Sequence, residues 1–398
     1  MTEQAGLGGY GQASLPLVEV RQQHREPAAD TTPPPSTPAS AEPGGQFPEL
    51  SRSIKDAGLL RRRPGAYLAA FVLNAVLLGA TAAAFLMIGP SWWQLLTAVV
   101  FAVVSTQLAF IGHDAGHRQI FRTARANDIV GYLHGGLVGM SFGAWVGKHN
   151  QHHANPNHAD DDPDIDIPVL AFSADQAATK RGPLRWMVAH QAIMFFPLLL
   201  LQGWSLHVTA AQATWRGEVT APRLEAGLLA AHIVGYLTAV FWVLTPLQAI
   251  AFIAVHQGLW GLYMGLAFAP NHKGMPIIPA RVRLDHLHKQ VLTARNVHGG
   301  RVTDYLLGGL NYQIEHHLFP KMARPNLRRA QPVVKAFCAP RPSLHPDQRG
   351  RLLRPGPRSP PRRRRAPAHL RPSSPPAGDT PHDEPLTSIP SPVQREAP

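Results

Sequence analysis

The chain has 398 residues, 45% of them hydrophobic, and 38 Lys and Arg against 25 Asp and Glu give a formal net charge of +13. Its single cysteine, Cys338, excludes a disulfide framework, a cysteine-held iron–sulfur cluster and a thiolate zinc site within one chain. A bound metal must then rest on nitrogen or oxygen, and 21 histidines make nitrogen the abundant donor.

Residues 1–50 include TTPPPSTPAS and little that could build a core, which predicts a disordered tail. No basic, apolar and cleavage pattern opens the chain, so no signal peptide is expected and the N-terminus is placed in the cytoplasm. Residues 51–338 carry the apolar blocks and form the expected folded domain. Residues 339–398 read as a second disordered tail, rich in Pro and Arg and containing PRRRRAP. That tail inflates the charge, so the pI near 10.4 argues for a solvated or lipid-facing segment and not for nucleic-acid binding.

Four apolar stretches reach the roughly 20 residues that a bilayer core demands: Ala66 to Ile88, Trp93 to Ile111, Ala226 to Thr245 and Leu247 to Ala269. They pair as two helical hairpins. The short turns within each pair hold no Lys or Arg, whereas the flanks carry Arg61, Arg62, Arg63, Arg118, Arg281 and Arg283. The positive-inside rule places those flanks in the cytoplasm. Two further stretches, Ile129 to Val146 and Val188 to Val208, are apolar but interrupted by glycine, histidine or proline, and are read as interfacial or cap-packing helices. His232 and His256 fall inside the third and fourth spans, either as functional groups or as hydrogen-bond partners of neighbouring helices.

The polar clusters lie next to these spans. His113 and His117, in HDAGH, are four apart and share a helix face. His149, His152 and His153, in HNQHH, repeat the logic at i, i+3, i+4, and Gln313, His316 and His317, in QIEHH, do so again with an amide first. His272 follows the fourth span. With the hairpin parity above, all of them emerge on the cytoplasmic side. Eight histidines exceed the needs of one ion and suit two. Imidazole ligation alone leaves Fe, Zn, Cu and Ni open. His134, His158, His286, His288 and His298 are read as ordinary core or surface histidines.

The segments HDAGH, HNQHH followed by ANPNHADDDPDID, FAPNHKGM and NYQIEHHLFP resemble the membrane fatty acid desaturases, specifically the front-end and linoleoyl-type acyl desaturases whose third histidine box begins with glutamine. The likeness spans about residues 50 to 335. It implies an all-α integral membrane fold of two transmembrane hairpins with a cytoplasmic helical cap carrying the metal site. By position it makes His113, His117, His149, His152, His153, His316 and His317 ligands of two non-haem iron ions, with His272 as an additional ligand. Gln313 stands where relatives have histidine or glutamine.

The implied activity is O2-dependent insertion of a double bond into an acyl chain carried by coenzyme A or a lipid, in a bacterial-type plasma membrane. A histidine-box hydroxylase or carotenoid-modifying oxygenase is the alternative. The His-Pro-Gly-Gly signature of a fused haem domain is absent, so a separate electron donor, a ferredoxin or a flavin-dependent reductase, is expected. Asp114, Asp160, Asp161, Asp162, Asp164 and Asp166 are candidates for orienting the metal-bound imidazoles, the run 160–166 being equally readable as a solvated acidic loop.

Overall fold

The computed structural model describes residues 46–339. The two tails expected over 1–50 and 339–398 lie outside it except at their inner edges. At the first edge the expectation needs correcting. Helix α1 (Phe47–Asp56) already begins inside the N-terminal tail, because Leu50 and Ile54 on one of its faces are fully buried in the cap.

After α1, the long helices α2 (Pro64–Ile88) and α3 (Gln94–Gly116) form the first hairpin. The helices α4 (Ala124–Val138), α5 (Phe142–Ala154), α6 (Ala174–Thr179), α7 (Gly182–Ala189), α8 (Gln191–Leu200) and α9 (Gln202–Trp215) lead to the second, α10 (Pro222–Val243) and α11 (Pro246–His272). Four shorter helices complete the described residues: α12 (His286–Thr293), α13 (Arg301–Leu306), α14 (Gln313–Leu318) and α15 (Arg324–Cys338). Among the described residues the only β structure is one bridge between His158 and Ile278. The fold is all-α, and α2, α3, α10 and α11 are each long and apolar enough to cross a membrane.

Proline occupies the first position of α2, α10 and α11, where its missing N–H is not needed and its fixed φ favours the helix. At the first hairpin turn, Gln94 Nε2 donates to the Phe85 and Gly89 carbonyls at 2.6 and 2.9 Å. This satisfies acceptors that water cannot reach in a bilayer. Within the apolar windows of α3 and α11, 56% and 50% of residues are buried, against 17% and 11% in α2 and α10. The former pair is therefore the inner one, packed together, and the latter faces lipid.

The two ambiguous stretches are both broken. α4 and α5 meet at 109° around Gly139, whose φ of +69° is a left-handed cap that glycine adopts without strain. Their 15 and 13 residues extend roughly 20 Å each, short of a ~30 Å hydrocarbon core. α7 and α8 meet at 104° near His190. The α8–α9 junction then lies directly on α11. A Cβ on Gly261 would sit 2.5 Å from the Gly203 nitrogen and 2.6 Å from the Leu199 carbonyl, so backbone approaches backbone only because these positions lack side chains.

The cap has its own core. Leu50 and Ile54 of α1 join Leu287 of α12, Leu318 of α14 and Leu327 and Val334 of α15. Arg324, at the start of α15, ties this cap to the spans: its Nη2 donates to the Phe110 carbonyl at 2.7 Å and lies 2.6 Å from Asp114 Oδ2.

Candidate metal centre

Each histidine cluster sits at a helix end that the fold directs to one place. α3 delivers His113 in its last turn and His117 at its C-cap. α5 presents His149, His152 and His153 on one face, α11 ends at His272, and α14 is little more than the QIEHH box itself.

All eight histidines converge. One ring nitrogen from each of His113, His117, His149 and His316 lies within 4.8 Å of the others, one from each of His152, His272 and His317 forms a second such group, and His152 with Asp162 and Asp164 forms a third. His153 joins the two: its ring stacks on His317 at 4.1 Å, and its Nε2 is 3.1 Å from His149 Nε2. His149 and His117 bring their Nε2 atoms to 2.9 Å, and His152 and His272 to 3.3 Å.

Several outer nitrogens are anchored. The Nδ1 atoms of His152, His317 and His272 face Asp162 Oδ1 at 2.9 Å, Gln290 Oε1 at 2.9 Å and the Thr293 carbonyl at 3.0 Å. His113 Nδ1 is 3.3 Å from Asp114 Oδ1. Oxygen acceptors on this side fix the proton on Nδ1 and leave the Nε2 lone pair pointing inward.

The inward atoms fit a cation. His113 Nε2, both nitrogens of His316 and His317 Nε2 are buried with no hydrogen-bond partner among the described residues. Burial first, and the neighbouring imidazoles second, hold His117, His149, His153, His316 and His317 well below the ordinary histidine pKa. These rings are therefore neutral at pH 7, the form that ligates metal. Neutral lone pairs crowded together in a buried pocket lack a partner that a bound ion would supply, and the two all-histidine groups suit two ions.

Gln313 brings its side-chain amide to the second group. Its Nε2 lies 3.0 Å from His272 Nε2, while Asn271 Nδ2 donates to its Oε1 at 3.1 Å. Of the candidate carboxylates, Asp114 and Asp162 touch box histidines directly, and Asp164 Oδ2 lies 3.5 Å from His152 Nδ1. Asp161 instead pairs with His158 and Arg283, and Asp160 is exposed. His134 bonds the Val130 carbonyl, and His286 and His288 serve Phe47 and Asp285. Within the spans, His256 contacts Tyr236 Oη at 2.8 Å and Ser105 Oγ at 3.3 Å, and His232 stacks on Tyr236. Gln290, Thr293 and Arg324 were not marked by the sequence, since a lone amide, a backbone carbonyl and a distant arginine carry no motif.

A cavity of about 1030 Å³ reaches the centre, lined by His149, His152 and His272 and by the apolar Leu199, Leu206, Met264 and Phe268. Trp145 closes one flank, its ring stacked on His149 at 4.5 Å.

Residues 90–347 match the family model described as fatty acid desaturase. The chain belongs to the fatty acid desaturase family. It is 33% identical over 260 residues to the acyl-lipid (9-3)-desaturase of Physcomitrium patens, covering 61% of this chain and 48% of that protein. It is 31% identical over 307 residues to fatty acid desaturase 3 of Bos taurus, covering 74% and 67%. It is 31% identical over 309 residues to a delta(6)-fatty-acid desaturase of Caenorhabditis elegans, covering 73% and 68%. The chain thus spans about half the length of the moss relative. Membership of this membrane family, with four span-length apolar helices, makes the chain an integral membrane protein.

Proposed function

We propose that this chain is an O2-dependent fatty acyl desaturase, its domain running over residues 51–338 with α1 extending it to Phe47. One observation carries the reading: two groups of inward-facing imidazoles converge beside a large cavity that His149, His152 and His272 line. His113, His117, His149 and His316 would hold one iron, His152, His272 and His317 the other, and His153 stands between them. When bound, such an iron pair supplies, with O2 and two electrons, the oxidising power to break two unactivated C–H bonds, which side-chain acid–base chemistry cannot do.

The chain's own residues do the rest. Asp162, Gln290 and Thr293 hold the protons on the outer nitrogens, so the inner lone pairs keep fixed directions. Leu199, Leu206, Met264 and Phe268 exclude water and seat an acyl chain beside His149, His152 and His272. Gln313, held by Asn271, offers an N–H near the second group and is assigned as a positioning residue. Electrons come from a separate ferredoxin or flavin-dependent reductase, in a plasma membrane of bacterial type; the arginine-flanked hairpins support a cytoplasmic orientation of the docking face.

The test is fatty-acid profiling of a host with and without the gene, beside His152→Ala and His316→Ala variants. The wild type yields a new double bond and the variants yield none while still inserting. An added hydroxyl would instead assign the chain to the hydroxylases, and a product from either variant would remove these residues from the ligand set.

A further inference from the structure

The wall of the cavity built by α8 and α9 differs from the rest of its rim. From Gln191 to Trp215, α8 and α9 contain no Asp, Glu, Lys or Arg. One side of this arm, through Leu198, Leu199, Gln202, Ser205, Leu206 and Thr209, lines the cavity. Its other side presents Ile193, Phe196, Trp204, Val208 and Trp215, all exposed, the last at 92%. Large apolar residues exposed in this density, with tryptophans among them, belong in a membrane interface. Leu201 belongs to both sides: it borders the cavity and is 59% exposed, so the cavity meets the lipid-facing surface there.

The polar rim is balanced. Lys148, Lys273 and Arg216 line the cavity together with Asp164, Asp166 and Glu218. Lys148 Nζ lies 2.9 Å from Asp164 Oδ1, and Arg216 Nη1 lies 4.0 Å from Glu218 Oε1. Lys273 donates to the Asp164 carbonyl and rests over the Phe172 ring at 3.7 Å. A coenzyme A thioester brings several phosphate charges and needs a surplus of cations. Among the described residues, the three cations of this rim are matched by three carboxylates and supply none.

We propose that the acyl chain arrives sideways from the bilayer past Leu201, still esterified to a glycerolipid with a neutral or zwitterionic head group. This names the substrate class for the desaturase reading and rests on it for the chemistry at the histidines. The α8–α9 arm is the lipid-facing threshold, and the balanced rim receives the head group.

Photolabelling tests it without an electron donor. The full chain, metal-loaded, is placed in phosphatidylcholine nanodiscs with either a diazirine-acyl phosphatidylcholine or a diazirine-acyl coenzyme A, and labelled peptides are mapped. The lipid probe is expected to label the cavity side, at Leu206 or Met264, and the thioester probe is not. Leu201→Trp fills the threshold and lowers cavity labelling by the lipid about tenfold, with metal content unchanged. Asp166→Lys with Glu218→Lys creates a cationic surplus and brings the thioester probe into the cavity. Thioester labelling of the wild-type cavity, or lipid labelling confined to Trp204 and Val208, overturns the proposal, as does labelling by neither. If the lipid labels the cavity but a host expressing the chain gains no double bond in any acyl pool, the desaturase reading fails and the lipid route stands.

Discussion

Replacing Asp162 with asparagine probes the carboxylate that stands behind the imidazole of His152. Asp162 is 2% exposed and receives three donors: His152 Nδ1–H at 2.9 Å, the Asn157 amide at 2.7 Å and the Asp164 amide at 2.9 Å. Asparagine keeps one acceptor oxygen, and its NH2 group must face a donor. Two costs follow. A carboxylate lost from behind a metal-binding imidazole lowers metal affinity by about 10–100-fold, or ~1.4–2.7 kcal/mol. A buried backbone N–H left unpaired lowers stability by ~1–3 kcal/mol even without metal. Competition with a chelator of known affinity measures the first, and thermal unfolding of the metal-free protein in detergent measures the second. Asp160→Asn is the control, because Asp160 is exposed and contacts no box histidine. Wild-type iron affinity in Asp162→Asn, or an equal loss in Asp160→Asn, would refute the reasoning.

Other perturbations probe the frame around the centre. Arg324→Met removes the guanidinium from the buried Asp114 carboxylate and is expected to cost ~3–5 kcal/mol, read as a fall in the thermal midpoint. An unchanged midpoint would mean that the cap does not depend on this tie. Gly261→Ala places a methyl against the Gly203 nitrogen and Leu199 carbonyl, with an expected loss of ~1–3 kcal/mol. The same change at Gly227, which has open space, is expected to leave the midpoint where it was. Stripping metal with a chelator should destabilise the protein by ~4 kcal/mol relative to metal at a thousandfold excess over its dissociation constant. A melting curve indifferent to chelation would argue that the imidazoles bind nothing.

The spans and the metal centre were legible for different reasons. Four uninterrupted apolar runs could only be long helices, and the structure starts and ends them within a few residues of the predicted limits. The i, i+3, i+4 histidines were visible because a helix turns that spacing into one face, as α5 and α14 do. The 109° bend at Gly139 was less visible, since a left-handed glycine leaves no mark beyond its identity. The second sphere was legible only in part. Asp114 and Asp162 were among six acidic candidates, and only the folded chain separates Asp162, turned towards His152, from Asp161, turned towards Arg283. Thr293 contributes a carbonyl that every residue has, so no reading of side chains could single it out. The boundary of the N-terminal tail was misplaced because the burial of Leu50 depends on α15, nearly three hundred residues along the chain.

Counting metal in the purified, folded chain bears most directly on the two histidine groups. Elemental analysis of wild type, His316→Ala and His272→Ala, each shown to be monodisperse, should give two iron ions per wild-type chain and a deficit in each variant. Zinc in place of iron, a single ion in the wild type, or full iron in both variants would contradict the arrangement of ligands described above.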